Sequence, residues 1–248
     1  MRRPVCAALA LLVAVILAPA GAARADEADS CEVPQELQQA AAPLSNLAAR
    51  FKAKQPVTIV AIGGASTVGA AAGSPDFAYP ARLRDALSAL FPGSEIRVVN
   101  KGVPRQSAQQ QFERFPSDVI AEDPVLVVWE TGTVDAVHDI QIDDFAGALQ
   151  HGIDELKNRA IDIILVDMQF SHSTAAMIDF PRYLETLHRV GELNGIYVFP
   201  RFAMMKYWSE QNVFNFDGVA AGERAKLAAR VYDCIGRRLA RSIRQMIP

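Results

Sequence analysis

Cysteine is scarce in this 248-residue chain, with three residues at positions 6, 31 and 234. So few cannot build a disulfide-dense scaffold, and none has the neighbouring Cys or His at the spacing that a metal site needs. No stripe dense in Lys and Arg is present, and the formal net charge is −3. That balance excludes nucleic acid and an anionic membrane surface as main partners. Internal repeats, low-complexity tracts and heptads are also missing. The run Gly63-Gly64-Ala65 continues into neither a Gly-Lys-Ser/Thr phosphate loop nor a dinucleotide fingerprint. No cofactor and no metal are therefore expected. The longest apolar run, over 5–20, is about 16 residues, short of the roughly 20 that span a bilayer.

That run has a definite reading of its own. Met1-Arg2-Arg3 is a charged n-region, 5–20 an apolar h-region, and Ala23-Arg24-Ala25 a small-residue cleavage site. Residues 1–25 are thus predicted to be a secretory signal peptide, with a retained signal anchor as the alternative, and the mature chain is expected to be secreted into an envelope compartment such as the periplasm. Asp26, Glu27 and Asp29 separate Cys31 from the h-region, so a lipidated cysteine is not expected. Cleavage leaves 22 Lys and Arg against 28 Asp and Glu, a net charge of about −6. It also leaves Cys31 and Cys234, an even pair in an oxidising compartment, which predicts one disulfide; two unpaired core cysteines are the alternative. After cleavage no membrane association is expected, and the sequence is silent on oligomeric state.

The mature length suits one domain with a full core. Residues 26–54 are an N-terminal segment with a leading helix, in which Leu37, Ala41, Leu44, Leu47, Ala48 and Phe51 have helical spacing after Pro34. Over 55–248, five apolar runs too short for helices follow: 57–62, 96–100, 125–130, 161–167 and 196–199. Each is rich in Val and Ile and leads into a helical pattern, the helices falling at 79–91, 107–121, 143–159, 180–194 and 220–246. Strands of this kind are buried on both faces, so the expected architecture is α/β, a three-layer α/β/α sandwich around a five-stranded parallel sheet. In the last helix Leu227, Val231, Ile235, Leu239 and Ile243 form one apolar face that reads as core.

In such a sheet ligand chemistry sits at the carboxyl ends of the strands. Those ends carry Ser66 after 57–62, Gly102 after Asn100-Lys101, the run Trp129-Glu130-Thr131-Gly132-Thr133-Val134-Asp135, and, before the last helix, Asp217-Gly218-Val219-Ala220. Together these runs resemble the four conserved blocks of the SGNH (GDSL-type) esterase family, whose fold is flavodoxin-like. The resemblance spans nearly the whole mature chain, from Val57 to about Leu239. It implies that Ser66 is the nucleophile, within Gly64-Ala65-Ser66 where the family usually writes Gly-Asp-Ser. It implies also that Gly102, Gly132 and Thr133 line the oxyanion and substrate-binding side, and that Asp217 is the orienting carboxylate.

Two positions depart from the family pattern. Val134 stands in place of the oxyanion asparagine, and loss of one such donor costs about 10²- to 10³-fold in rate. Ala220 replaces the general-base histidine, without which a serine hydroxyl is a poor nucleophile near neutrality. His172, in the loop after 161–167, and His138, three residues after Asp135, are the candidates for a relocated base. His151 and His188 fall in helical patterns and read as surface or core residues. Glu130 and Asp217 face the predicted cleft as weaker candidates, Asp217 also as a helix cap, while Tyr207 and Trp208 read as cleft wall or core. Two functions follow. One is an ester hydrolase acting through Ser66 on acyl or acetyl esters of small molecules or glycans, with weak or relocated catalysis. The other is a decayed pseudoenzyme that keeps the pocket for a ligand or an envelope partner. An α/β binding protein unrelated to hydrolases is the blander third.

Overall fold

The computed structural model describes residues 31–216 and 218–247. The expected signal peptide, 1–25, and Asp217 lie outside the described residues.

Five strands form one parallel sheet: β1 Val57–Gly63, β2 Ile96–Gly102, β3 Leu126–Glu130, β4 Asp162–Val166 and β5 Tyr197–Phe199. Their order is β2-β1-β3-β4-β5. The chain therefore steps from β1 to one side, then returns to place β3 on the other. Where the winding reverses, the loops after β1 and β3 part and leave a crevice at the carboxyl edge. The register sets the two strand ends nearly level, with Ile62 beside Trp129.

The helices are α1 Ser45–Lys52, α2 Ala65–Val68, α3 Tyr79–Leu90, α4 Ala108–Glu113, α5 Thr133–Val137, α6 Ile142–Lys157, α7 His172–Ala175, α8 Phe180–Leu193, α9 Arg201–Glu210 and α10 Ala221–Met246. Side chains alternate along each strand, so β1 sends Val60 and Ile62 into a cluster with Trp129, Phe145, Ile153 and Leu187 under α4, α6 and α8. The other face is covered by α3 and α10, which pack on one another. On α10 the predicted residues Val231, Ile235, Leu239 and Ile243 are buried. The three-layer α/β/α sandwich with its five-stranded parallel sheet is thus the observed fold.

The structure differs from expectation at several elements. The leading helix predicted across 34–54 is a 3₁₀ turn, Gln35–Gln38, then α1, because Pro43 has no N–H for a continuous ladder. The helix predicted over 107–121 stops at Glu113; Pro116 follows, and the chain continues as a π turn, Phe115–Val119. Helix α9 and the short helices α2, α5 and α7 were not predicted. Cys31 and Cys234 are both buried and both disulfide-bonded, in agreement with the expected pair.

Candidate functional site

Gly63 ends β1, and the chain must turn back at once onto the neighbouring strand. A Cβ at this position would run into the Thr67 hydroxyl and the Glu130 side chain. Glycine lets α2 form there, and α2 carries Ser66, whose surface is 4% exposed. The turn is fastened from below by Glu130, the last residue of β3. Its carboxylate accepts from the Gly64 N–H at 3.1 Å, the Thr67 N–H at 3.2 Å and the Thr67 hydroxyl at 2.6 Å. Arg201, wholly buried at the start of α9, donates Nη2 to it at 3.1 Å. A carboxylate buried with fewer partners would cost several kcal/mol. Glu130 therefore positions the Ser66 turn, and its oxygens face Gly64, Thr67 and Arg201 rather than the serine.

The Ser66 hydroxyl donates to Gln169 Oε1 at 2.9 Å. Gln169 lies just beyond β4, on the same carboxyl edge. Tyr232 of α10 lies beside Ser66, and burial pushes its phenol above its ordinary range. At neutral pH it is a proton donor and not a base. Residues of distant sequence thus meet at one serine, with Gln169 bonded to its hydroxyl, Tyr232 beside it and Glu130 fixing the turn that carries it.

A cleft of about 690 Å³ opens over Ser66, lined among others by Arg105, Gln106, Thr131, Gly132, Thr133 and Gln169. Gly132 has φ 89°, a left-handed conformation, and a Cβ there would strike Met168. This glycine sets Thr133 at the start of α5. The hydroxyls of Thr131 and Thr133 are buried and have no hydrogen-bond partner among the described residues. Val134 lines the cleft as well. Behind this wall Asp135 accepts the Ala108 N–H on both carboxylate oxygens, each at 3.1 Å, and ties α5 to the first turn of α4. Burial raises the Asp135 carboxyl to about 6, against the opposing pull of backbone donors from Ala108, Asp135 and Gly132.

The other expected site residues have definite places. Gly102 pairs with Gly63, and a Cβ on it would collide with the Thr67–Val68 backbone. Its N–H donates to Asn100 Oδ1 at 3.0 Å. His172 bonds through Nε2 to Ser209 Oγ at 3.0 Å and lines a second cavity of about 370 Å³ with Phe170, Trp208 and Phe214. Trp208 is wholly buried with its ring edge-on to Phe214, a core placement. His138 is exposed at the end of α5. His188 Nε2 lies 3.0 Å from Asp167 Oδ2, and His151 packs near Phe112. The hydrogen bonds of His172 and His188 go to Ser209 and Asp167, not to Ser66. Asp217 lies outside the described residues, and the residue preceding the first turn of α10 is Ala220.

Sequence reasoning missed Gln169, Tyr232 and Arg201. Gln169 was open to the strand-end argument that found Ser66, since it follows β4 on the same edge. Arg201, just after β5, was open to the same argument, whereas Tyr232 carried no such signal, as a tyrosine within a helical pattern reads as core or surface. Among the described residues no group of three His, Cys, Asp or Glu is placed to hold a metal ion. None of their helices is long and apolar enough to cross a membrane.

The model of the Non-GDSL lipase-like family matches residues 30–248. No curated protein matches the chain. Among solved structures, one assigned to the lipolytic G-D-S-L family of Desulfitobacterium hafniense DCB-2 is 26% identical, with a TM-score of 0.50, and the match covers 57% of this chain and 75% of that one. Axe2, an acetylxylan esterase from Geobacillus stearothermophilus, is 19% identical with a TM-score of 0.60, covering 75% of this chain and 94% of that one. At that identity the second likeness speaks for the fold alone.

Proposed function

The chain belongs to the Non-GDSL lipase-like family, and from that premise we propose that its Ser66 cleft binds and slowly hydrolyses acyl or acetyl esters of small molecules or glycans. One observation carries the reading. The Ser66 hydroxyl sits at the reversal point of the sheet, in a cleft whose Thr131 and Thr133 hydroxyls lack partners. Ser66 also stands in the first turn of α2, where helical N–H groups have no intrahelical acceptor, so its own amide is available to a developing oxyanion. Ser66 Oγ would form a bond to the acyl carbon and release the alcohol, which takes up the hydroxyl proton; water then frees the acid. With Ala220 and Val134 in place of base and oxyanion side chains, the rate should fall on the order of 10⁴- to 10⁶-fold below that of a complete triad. Asp217 and His172 remain candidates for assisting the proton transfer. Disulfide cysteines and the predicted signal peptide support a secreted, periplasmic setting.

A specific observation favours a second reading, a ligand-binding pseudoenzyme. The acceptor facing Ser66 is the amide oxygen of Gln169, which is not a base. Intact-mass detection of fluorophosphonate labelling separates the two. A stoichiometric adduct on the mature protein and none on folded Ser66→Ala supports hydrolysis, whereas no adduct after long incubation leaves the binding reading. In the hydrolase reading the double variant Val134→Asn/Ala220→His raises acetate release from an acetyl ester at least about tenfold. A folded double variant with no gain would count against the assignment of the blocks.

A further inference from the structure

The cleft has a charge at its mouth that the chemistry at Ser66 does not use. Two charged residues line it, Arg105 and Glu130, and Glu130 is already paired with Arg201. Neighbouring cations of β2 and α4's C-terminus are engaged. Arg97 and Lys101 both pair with Glu122 at 2.8 Å. Arg114 pairs with Asp118 at 2.6 Å, and donates to the Lys101 carbonyl at 2.7 Å and to Gln106 Oε1. Arg105 has neither an ion pair nor a side-chain hydrogen bond among the described residues, and it is exposed.

The loop that presents Arg105 is built rather than slack. Arg114 braces it from beneath through Lys101 and Gln106, and Ser107 closes it with a capping box to Gln110. At its tip Arg105 holds φ 66°, a left-handed conformation that L-residues rarely adopt and that marks sites of function more often than chance. Across the cleft the Thr131 and Thr133 hydroxyls are buried without acceptors, so their protons are available to ligand oxygens. A lone cation at the rim and two unsatisfied donors on the wall call for an anionic, oxygen-rich ligand.

We propose that Arg105 makes the Ser66 cleft selective for esters whose remainder carries a carboxylate or a phosphate. This rests on the ester-binding reading of the cleft and names its substrate class. Three probes share one acetylated methyl pyranoside and differ at C6: hydroxymethyl, carboxylate or phosphate. Calorimetric binding is measured on folded Ser66→Ala protein and on Ser66→Ala carrying Arg105→Gln or Arg105→Lys. One or both anionic probes should bind roughly 5- to 20-fold tighter than the neutral one at low salt, and less so at high salt. The preference should vanish with Arg105→Gln and survive in part with Arg105→Lys, and whichever anion binds tighter identifies the group. Equal binding of all three probes, no binding of any, or a preference that persists in Arg105→Gln would overturn the proposal. Acetate release by protein with Ser66 intact is followed in parallel. Selective binding without release leaves the anion selectivity standing and removes hydrolysis alone.

Discussion

An amide oxygen cannot take a proton from serine at any pH that leaves this protein folded, so the contact between Ser66 and Gln169 fixes the hydroxyl's direction without activating it. The same scale shows what was legible. Ser66, Glu130, Gly132 and Thr133 were found because each follows an apolar strand at the edge where loops carry chemistry. Their partners were not, because hydrogen bonds such as Arg201 to Glu130 join residues 71 positions apart, and no local pattern encodes such a pairing. A titrating residue in the wall gives a prediction. Burial raises Asp135 from 3.8 to about 6, so the folded protein holds its proton more tightly than the unfolded chain does. That contribution is fully present below about pH 4 and is lost as pH rises through about 6. Stability of the parent relative to Asp135→Asn should therefore fall by about 1–3 kcal/mol between pH 4 and pH 7, read as the difference between urea midpoints. A pH-independent difference would place the carboxyl in an ordinary environment.

At the scale of elements the strands were plain in the sequence, while three single-turn helices and the longer α9 were hidden. The central strands β1, β3 and β4 are Val/Ile-rich runs buried on both faces, a composition that few other structures produce, while the edge strand β2 is only partly buried. In α9 the apolar residues Phe202, Met204, Met205, Tyr207 and Trp208 go round the helix without forming one face, so periodicity gives no signal. Helix packing gives a pair of opposite predictions for one substitution. In α10 a Cβ on Gly236 would lie 2.5 Å from Arg82 Cβ and 2.8 Å from the Leu83 backbone N, and backbone cannot move aside cheaply. Gly236→Ala should destabilise by about 1 kcal/mol or more, the overpacking outweighing a better helix propensity. In α6, Gly147 has open space where a Cβ would go, so Gly147→Ala should stabilise by about 0.5–1 kcal/mol. Thermal melts of the two variants beside the parent test both signs.

For the molecule as a whole, cysteine count and a predicted export signal implied a disulfide, and both cysteines are disulfide-bonded. The expected bond closes a loop of about 200 residues, so its reduction should cost about 3–5 kcal/mol in the chain-entropy model. Denaturant midpoints with and without reductant, beside the Cys31→Ala/Cys234→Ala variant, measure it; unchanged midpoints would mean that the bond does not constrain the unfolded chain. Fold class was readable because it is a sum over many strands and helices, each repeating one signal. Function was readable only as far as the family, since it turns on a few side chains at 134, 169, 220 and 232 whose meaning depends on their neighbours in space.

The brace beneath the Arg105 loop has an evolutionary consequence. Arg114, Gln106 and the Ser107 cap hold that loop without help from Arg105 itself. The tip residue can therefore mutate while the scaffold around Ser66 stays fixed, and descendants of one ancestor can change the ligands they accept at a single codon.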